Sequence, residues 1–206
     1  CGGTCSLRCT QEVFPLSVLW SRVIKTSSST YDFVAMVSNK NIDNAPKELG
    51  YVFMVHNSEG GVFATIKGTT TAPIDSTFPI IRQNISLSEE PKSLDTQLVS
   101  GLHYKVSEKP LSPTIRTTDI SFESGVIPRV YVKVINNKLV TISNLVVRTV
   151  LYDASDTAYG VGETVIPFLG KEEVKNITFT WDTAFREKPT KIRVYPIFDP
   201  FLPSQK

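Results

Sequence analysis

The sequence predicts an all-β fold, two β-sandwiches in tandem behind a short N-terminal tether. Three observations carry that prediction. Apolar residues recur with a period of two, as with Val130, Val132 and Val134 against Tyr131, Lys133 and Ile135, and side chains alternate across a plane in this way only on a strand. Gly and Pro turn clusters separate the apolar runs, and no amphipathic helical stretch of any length intervenes. Finally, residues 130–156 repeat an earlier stretch. Shifted by 97 positions without a gap, they fall on residues 33–59, with Phe33, Ala35, Val37 and Asn39 on Val130, Val132, Val134 and Asn136. Val52, Phe53, Met54 and Val55 then land on Thr149, Val150, Leu151 and Tyr152.

In chain order, residues 1–13 form the tether, 14–108 the first domain and 109–206 the second. Residues 17–24 are expected as an edge strand, because Pro15 opposes a helix there. The polar run 25–30, Lys-Thr-Ser-Ser-Ser-Thr, is a turn. The repeated strand pair follows, joined across residues 40–50 by Asn, Asp, Pro and Gly. Residues 62–67 continue past Gly60-Gly61 into a hairpin with 51–55. Strands at 78–87 and 97–106 complete the first copy.

The second copy runs the same course: an entry strand at 114–122, a turn at Gly125 and Pro128, the central pair, then strands at 159–166, 174–181 and 191–198. Pro110 and Pro113 in residues 108–113 suggest a short, stiff joint, so the two copies are expected to fold separately. Asn39 and Asn136 each close a strand, and Asp153 stands at a hairpin corner, where short polar side chains bond the backbone and shape turns. Asn84-Ile85-Ser86 and Asn176-Ile177-Thr178 are both acceptor patterns for glycosylation. Their similar places in the two copies favour a structural reading.

Val134-Ile-Asn136, the run from Leu145 through Thr149-Val-Leu-Tyr152 to Asp153, and the apolar segment ending in Ile177-Thr-Phe179 resemble the FxLYD-type module. The resemblance covers residues 121–181. It implies a small immunoglobulin-like sandwich, related in architecture to the late-embryogenesis-abundant type domain and frequent in bacterial envelope lipoproteins. It also implies an adhesive or scaffolding role and supplies no catalytic residues. The first copy departs from the motif, with Val55-His56 where the second has Tyr152-Asp153.

Cys1-Gly-Gly-Thr resembles the start of a mature bacterial lipoprotein, in which the first thiol carries the lipid. The alternative is an arbitrary boundary that falls on Cys. Cys5 and Cys9 follow at a spacing that matches neither zinc pairs nor ferredoxin runs. An exported protein meets oxidising conditions, which favours a Cys5–Cys9 disulfide over two free thiols. The expected location is therefore the cell envelope, facing the extracytoplasmic side and held to the membrane through Cys1.

Composition is that of an ordinary globular protein, 41% hydrophobic and 20% charged. A net charge of +2 without a basic cluster gives no reason to expect nucleic acid. The only histidines are His56 and His103, and no nucleophile elbow or phosphate loop is present. A calcium site at Asp153 and Asp156 is the functional alternative to the turn role, and it would need six or more oxygens and a bidentate carboxylate. The expectation is a non-enzymatic protein, with no catalytic, cofactor-binding or metal-binding residues, that binds another surface protein. The alternative is a glycan or small-molecule binder with its site between the domains. Tyr152, Trp20 and Trp181 would supply a stacking face, although aromatics on strands more often belong to the core. A clustered aromatic pocket between the lobes would favour the alternative, and an unpaired edge or flat apolar patch the first reading.

Overall fold

The computed structural model describes residues 13–106 and 115–201. Cys1, Cys5, Cys9 and the expected joint with Pro110 and Pro113 lie outside the described residues. The fold is all-β, with fourteen strands and no helix among the described residues.

In the first half, β1 (Ser17–Lys25), β2 (Thr30–Asn39) and β6 (Ser76–Ser86) form a sheet in the order β1-β2-β6. Strands β4 (Leu49–His56), β5 (Val62–Thr70) and β7 (Ser93–Ser100) form another in the order β5-β4-β7. The short strands β3 (Asn44–Pro46) and β8 (His103–Lys105) pair alone. In the second half, β9 (Ile115–Glu123), β10 (Arg129–Asn136) and β13 (Val174–Thr180) pair in the order β13-β10-β9. The remaining strands, β11 (Ile142–Tyr152), β12 (Ala158–Leu169) and β14 (Lys191–Ile197), pair in the order β12-β11-β14. Every sheet draws its strands from one half only.

The alternation read from the sequence explains each core. Phe33, Ala35 and Val37 of β2 meet Leu49, Tyr51, Phe53 and Val55 of β4, and Phe33 and Phe53 lie edge to face at 5.8 Å. Val130, Val132 and Val134 of β10 meet Leu145, Val147 and Leu151 of β11 in the same manner. Burying each such side chain contributes about 1.5–3 kcal/mol.

The repeat is real in the fold, but not gapless. Phe33 pairs with Arg82 and Val130 with Phe179, so the first strand keeps the expected offset. In the second strand, the inward Leu49, Tyr51, Phe53 and Val55 correspond to Leu145, Val147, Thr149 and Leu151. Both ladders break register at the matching point, between Val55 and His56 and between Leu151 and Tyr152. One residue fewer therefore separates the two strands in the second half. The gapless alignment would set Val55 on Tyr152, which faces the other way, because a slip of one residue exchanges the faces of a strand.

Two further expectations change. The strand at 97–106 is instead β7, which begins at Ser93, and the separate β8, with Gly101-Leu102 between them. The two Asn-x-Ser/Thr patterns do not occupy similar places. Asn176 pairs with Lys133 inside β13, a position answered in the first half by Pro79 opposite Met36. Asn84 sits in a bulge of β6 at a φ of 59°.

The largest departure lies between the halves. Val34 and Met36 on the outer face of β2, with Ile24 and Ile81, pack against Val150, Tyr152, Ala158 and Val161 of β11 and β12. β2 is consequently buried on both faces, whereas β10, its counterpart, keeps Tyr131 exposed. Arg148, a cation within β11, is buried in this contact. Lys133 does reach the surface, where it pairs with Asp119.

Candidate functional site: a cleft between the halves

Beside this apolar layer the halves diverge into a cleft of about 910 Å³. One wall is the end of β1 from Arg22 to Lys25, with the polar turn at Thr26, Ser27 and Ser28. The other wall is the start of β12 and the segment after β13, including Tyr159, Trp181, Phe185 and Arg186. Asp32 lines it from β2, and Gln83 and Asn84 from β6.

A bulge positions this central group. β2 and β6 break register between Tyr31 and Phe33, so Gln83 and Asn84 stand opposite Asp32. Asn84 takes the left-handed conformation, and Asp32 Oδ1 accepts its N–H at 2.9 Å. Such a bulge re-aims a side chain: Gln83 Nε2 crosses to donate to the Val161 carbonyl at 3.1 Å. Asp32 is only 2% exposed. Burial holds its carboxyl above the usual range, opposed by the hydrogen bonds from Asn84 and Gln83.

The aromatic wall is a cluster centred on Phe185, whose ring lies 5.2 Å from Trp181, 5.2 Å from Tyr159 and 6.2 Å from Phe122. Trp181 Nε1 donates to the Val161 carbonyl at 2.8 Å, and the Tyr159 hydroxyl to the Glu187 carbonyl at 3.2 Å. Burial, then the nearby Glu187 and Asp153 carboxylates, push the Tyr159 phenol up to about 12. Gly160 admits the cluster, since a Cβ there would lie 3.0 Å from Phe185 Cζ.

Thr183 Oγ1 donates to the Thr26 carbonyl at 3.3 Å across the cleft. Arg148 makes a stronger tie at the apolar layer. Its Nη1 donates to the Pro79 carbonyl at 2.7 Å, Nη2 to Thr70 Oγ1 at 3.0 Å and Nε to Glu163 Oε2 at 2.6 Å.

Of the residues singled out from the sequence, Trp181 and Asn84 line the cleft, and Asn39, Asn136 and Asp153 do not. Asn39 and Asn136 are buried at strand ends, where each Oδ1 accepts the N–H two residues on, from Asn41 and Lys138, both at 3.0 Å. Asp153 Oδ1 accepts from Ser155 N–H at 2.8 Å and Thr157 N–H at 2.9 Å, and Asp156 pairs with Lys191. Asn57 Oδ1 makes the matching bonds in the first half, to Glu59 and Gly61.

The suggested stacking face does not form. Trp20 and Tyr152 meet edge to face at 6.5 Å in the layer between the halves, while Trp181 is buried against the second core. Sequence reasoning missed Asp32, Gln83, Tyr159 and Phe185. The one usable signal was the apolar outward pair Val34 and Met36, which marks a covered sheet face.

No family model matches the chain, and no curated protein matches its sequence. Among solved structures a likeness is found to red sea bream transglutaminase, at 11% identity and a TM-score of 0.29. It covers 92% of this chain and 30% of that one, so the chain spans less than a third of that enzyme's length. A likeness of that degree carries no argument about fold or activity.

Proposed function

We propose that the protein is a non-enzymatic envelope lipoprotein, anchored through Cys1 on the extracytoplasmic side. On this reading a glycan or small molecule occupies the cleft between two immunoglobulin-like sandwich domains of the FxLYD-like kind, residues 14–108 and 109–206. The cleft carries the reading: it is about 910 Å³, lined from both halves, with Tyr159, Trp181 and Phe185 grouped on one wall. Pockets that hold small ligands fall in this size range and combine aromatic surface with a few placed polar groups. Arg22, Asp32, Gln83 and Arg186 are such groups. The lining residues include Ser27 and Ser28 but neither His nor Cys, so a hydroxyl nucleophile has no imidazole beside it.

Binding of another surface protein is the second reading, favoured by β5 and β9, each of which has a ladder partner on one side only. An exposed edge accepts a partner strand through backbone hydrogen bonds.

The test is titration of the isotope-labelled chain with hexose and N-acetylhexosamine oligosaccharides, read by amide shifts. Shifts confined to the cleft and removed by Tyr159→Ala at unchanged fold support the ligand reading. Silence in the cleft together with shifts along an edge strand on adding envelope extract favours the second reading.

A further inference from the structure

The segment after β13 separates two hollows. Phe185, Arg186 and Glu187 line the cleft between the halves, and the same three residues line a smaller hollow of about 230 Å³. The other wall of that hollow is Phe122, near the end of β9, with the turn at Ser124, Gly125 and Pro128. Both spaces share one frame, because the Pro128 carbonyl accepts the Trp181 N–H at 3.2 Å. Their aromatic surface is continuous as well. Phe185 packs on Tyr159 and Trp181 toward the cleft and on Phe122 toward the hollow. Tyr159, Phe185 and Phe122 are each only half-buried.

Charge along the cleft is balanced. Arg22, Lys25 and Arg186 stand against Asp32, Asp182 and Glu187. Lys25 is already paired with Glu90 at 2.8 Å, and the buried Asp32 accepts the Asn84 N–H. Arg22 and Arg186 are left to balance Asp182 and Glu187. With the hydroxyls of Ser27, Thr157 and Thr183 beside them, these groups offer both donors and acceptors to an uncharged ligand rich in hydroxyls. Flat aromatic rings suit the C–H faces of sugar rings.

We infer that the ligand is a neutral, linear oligosaccharide that lies in the cleft and continues across Phe185 into the hollow at Phe122. The inference rests on the cleft being a ligand site and adds a second subsite to it. A single sugar unit has no use for the second hollow. A chain makes contact there without losing translational freedom a second time, since its first units are already bound.

The test is titration of the isotope-labelled full chain with a disaccharide and a hexasaccharide, of glucose and of N-acetylglucosamine, read by amide shifts. The hexasaccharide of one series is expected to bind about tenfold more tightly than its disaccharide, the order that one further aromatic face and its covered area supply. Its shifts should reach Ser124 and Gly125, with those of the disaccharide confined to the cleft. Phe122→Leu keeps apolar bulk and removes the ring, and Ser124→Met extends an exposed side chain beside the hollow. Each should abolish the advantage of length and leave disaccharide affinity unchanged, and Ser124→Met should melt with the parent. Equal affinity for both lengths, or an advantage that survives both variants, overturns the inference, while disaccharide shifts at Tyr159 keep the cleft reading standing. Tighter, salt-sensitive binding of an oligogalacturonate overturns it too, as does an extended peptide that shifts both hollows where the sugars shift neither. Silence of the cleft toward every sugar removes the inference together with the glycan reading beneath it.

Discussion

Arg148 of β11 donates from Nη1 to the main-chain carbonyl of Pro79 in β6, 2.7 Å away in the other half of the molecule. Its remaining donors reach Thr70 and Glu163, so a buried guanidinium is held by both halves at once. Replacing it strands a carbonyl, a hydroxyl and a half-exposed carboxylate. Arg148→Met keeps the aliphatic stem and removes the bonds, and is expected to cost about 2–4 kcal/mol in urea unfolding.

The shared apolar layer also changes the outlook for separated halves. Residues 13–106 alone would expose Val34, Met36 and Ile81 and lose Ile197, which packs into the first core from the other half. The excised half is expected to melt cooperatively but well below the intact chain, and to self-associate. Adding residues 115–201 in trans should raise its melting temperature. Equal melting of half and whole would mean that the layer contributes nothing.

Asn136 is fully buried, and its Nδ2 hydrogens serve the carbonyls of Val140, Leu169 and Gly170 at 2.8, 3.2 and 2.8 Å. Asn136→Asp replaces that donor with a carboxylate oxygen, an acceptor facing three carbonyl acceptors. It should destabilise by about 3–5 kcal/mol, more than Asn136→Ala, because an unpaired buried charge is worse than a lost bond. Asn39, with one bond to Pro73 at 3.0 Å and a longer one to Asn44 at 3.4 Å, should show the same order with smaller losses.

The Asp32 carboxyl is raised by burial, so the folded state binds its proton more tightly than the unfolded state does. Its contribution therefore favours the fold below the unfolded carboxylate range and is lost as pH rises through the raised folded value. Asp32→Asn retains an oxygen for the Asn84 N–H and carries no charge. At neutral pH it is expected to melt no lower than the parent, with any advantage shrinking as the pH falls through the raised folded value and absent below about 4. Melting temperatures across that range test the sign.

Much of this protein was legible in local pattern. Alternation at Val130, Val132 and Val134 marks a half-buried strand because the pleat places successive side chains on opposite faces. Repetition of Asn39 at Asn136 marks the same strand end twice, since a carboxamide that bonds the backbone two residues on needs only its own neighbours. The gapless repeat misled at the second strand for a physical reason. Val55 and Tyr152 are both suited to strands, and composition does not distinguish the two faces when both are buried.

What only the tertiary structure decided is where the halves meet. Val34, Met36, Val150 and Tyr152 are apolar on the outward faces of two different sheets, and nothing local says which surface covers them. Arg148 looks like any surface cation until Pro79, distant in the chain, supplies the carbonyl that makes its burial tolerable. The cleft follows from that docking. Asp32 and Phe185 become neighbours of one space through the packing of sheets, an outcome of summed apolar area and shape that no short run of residues encodes.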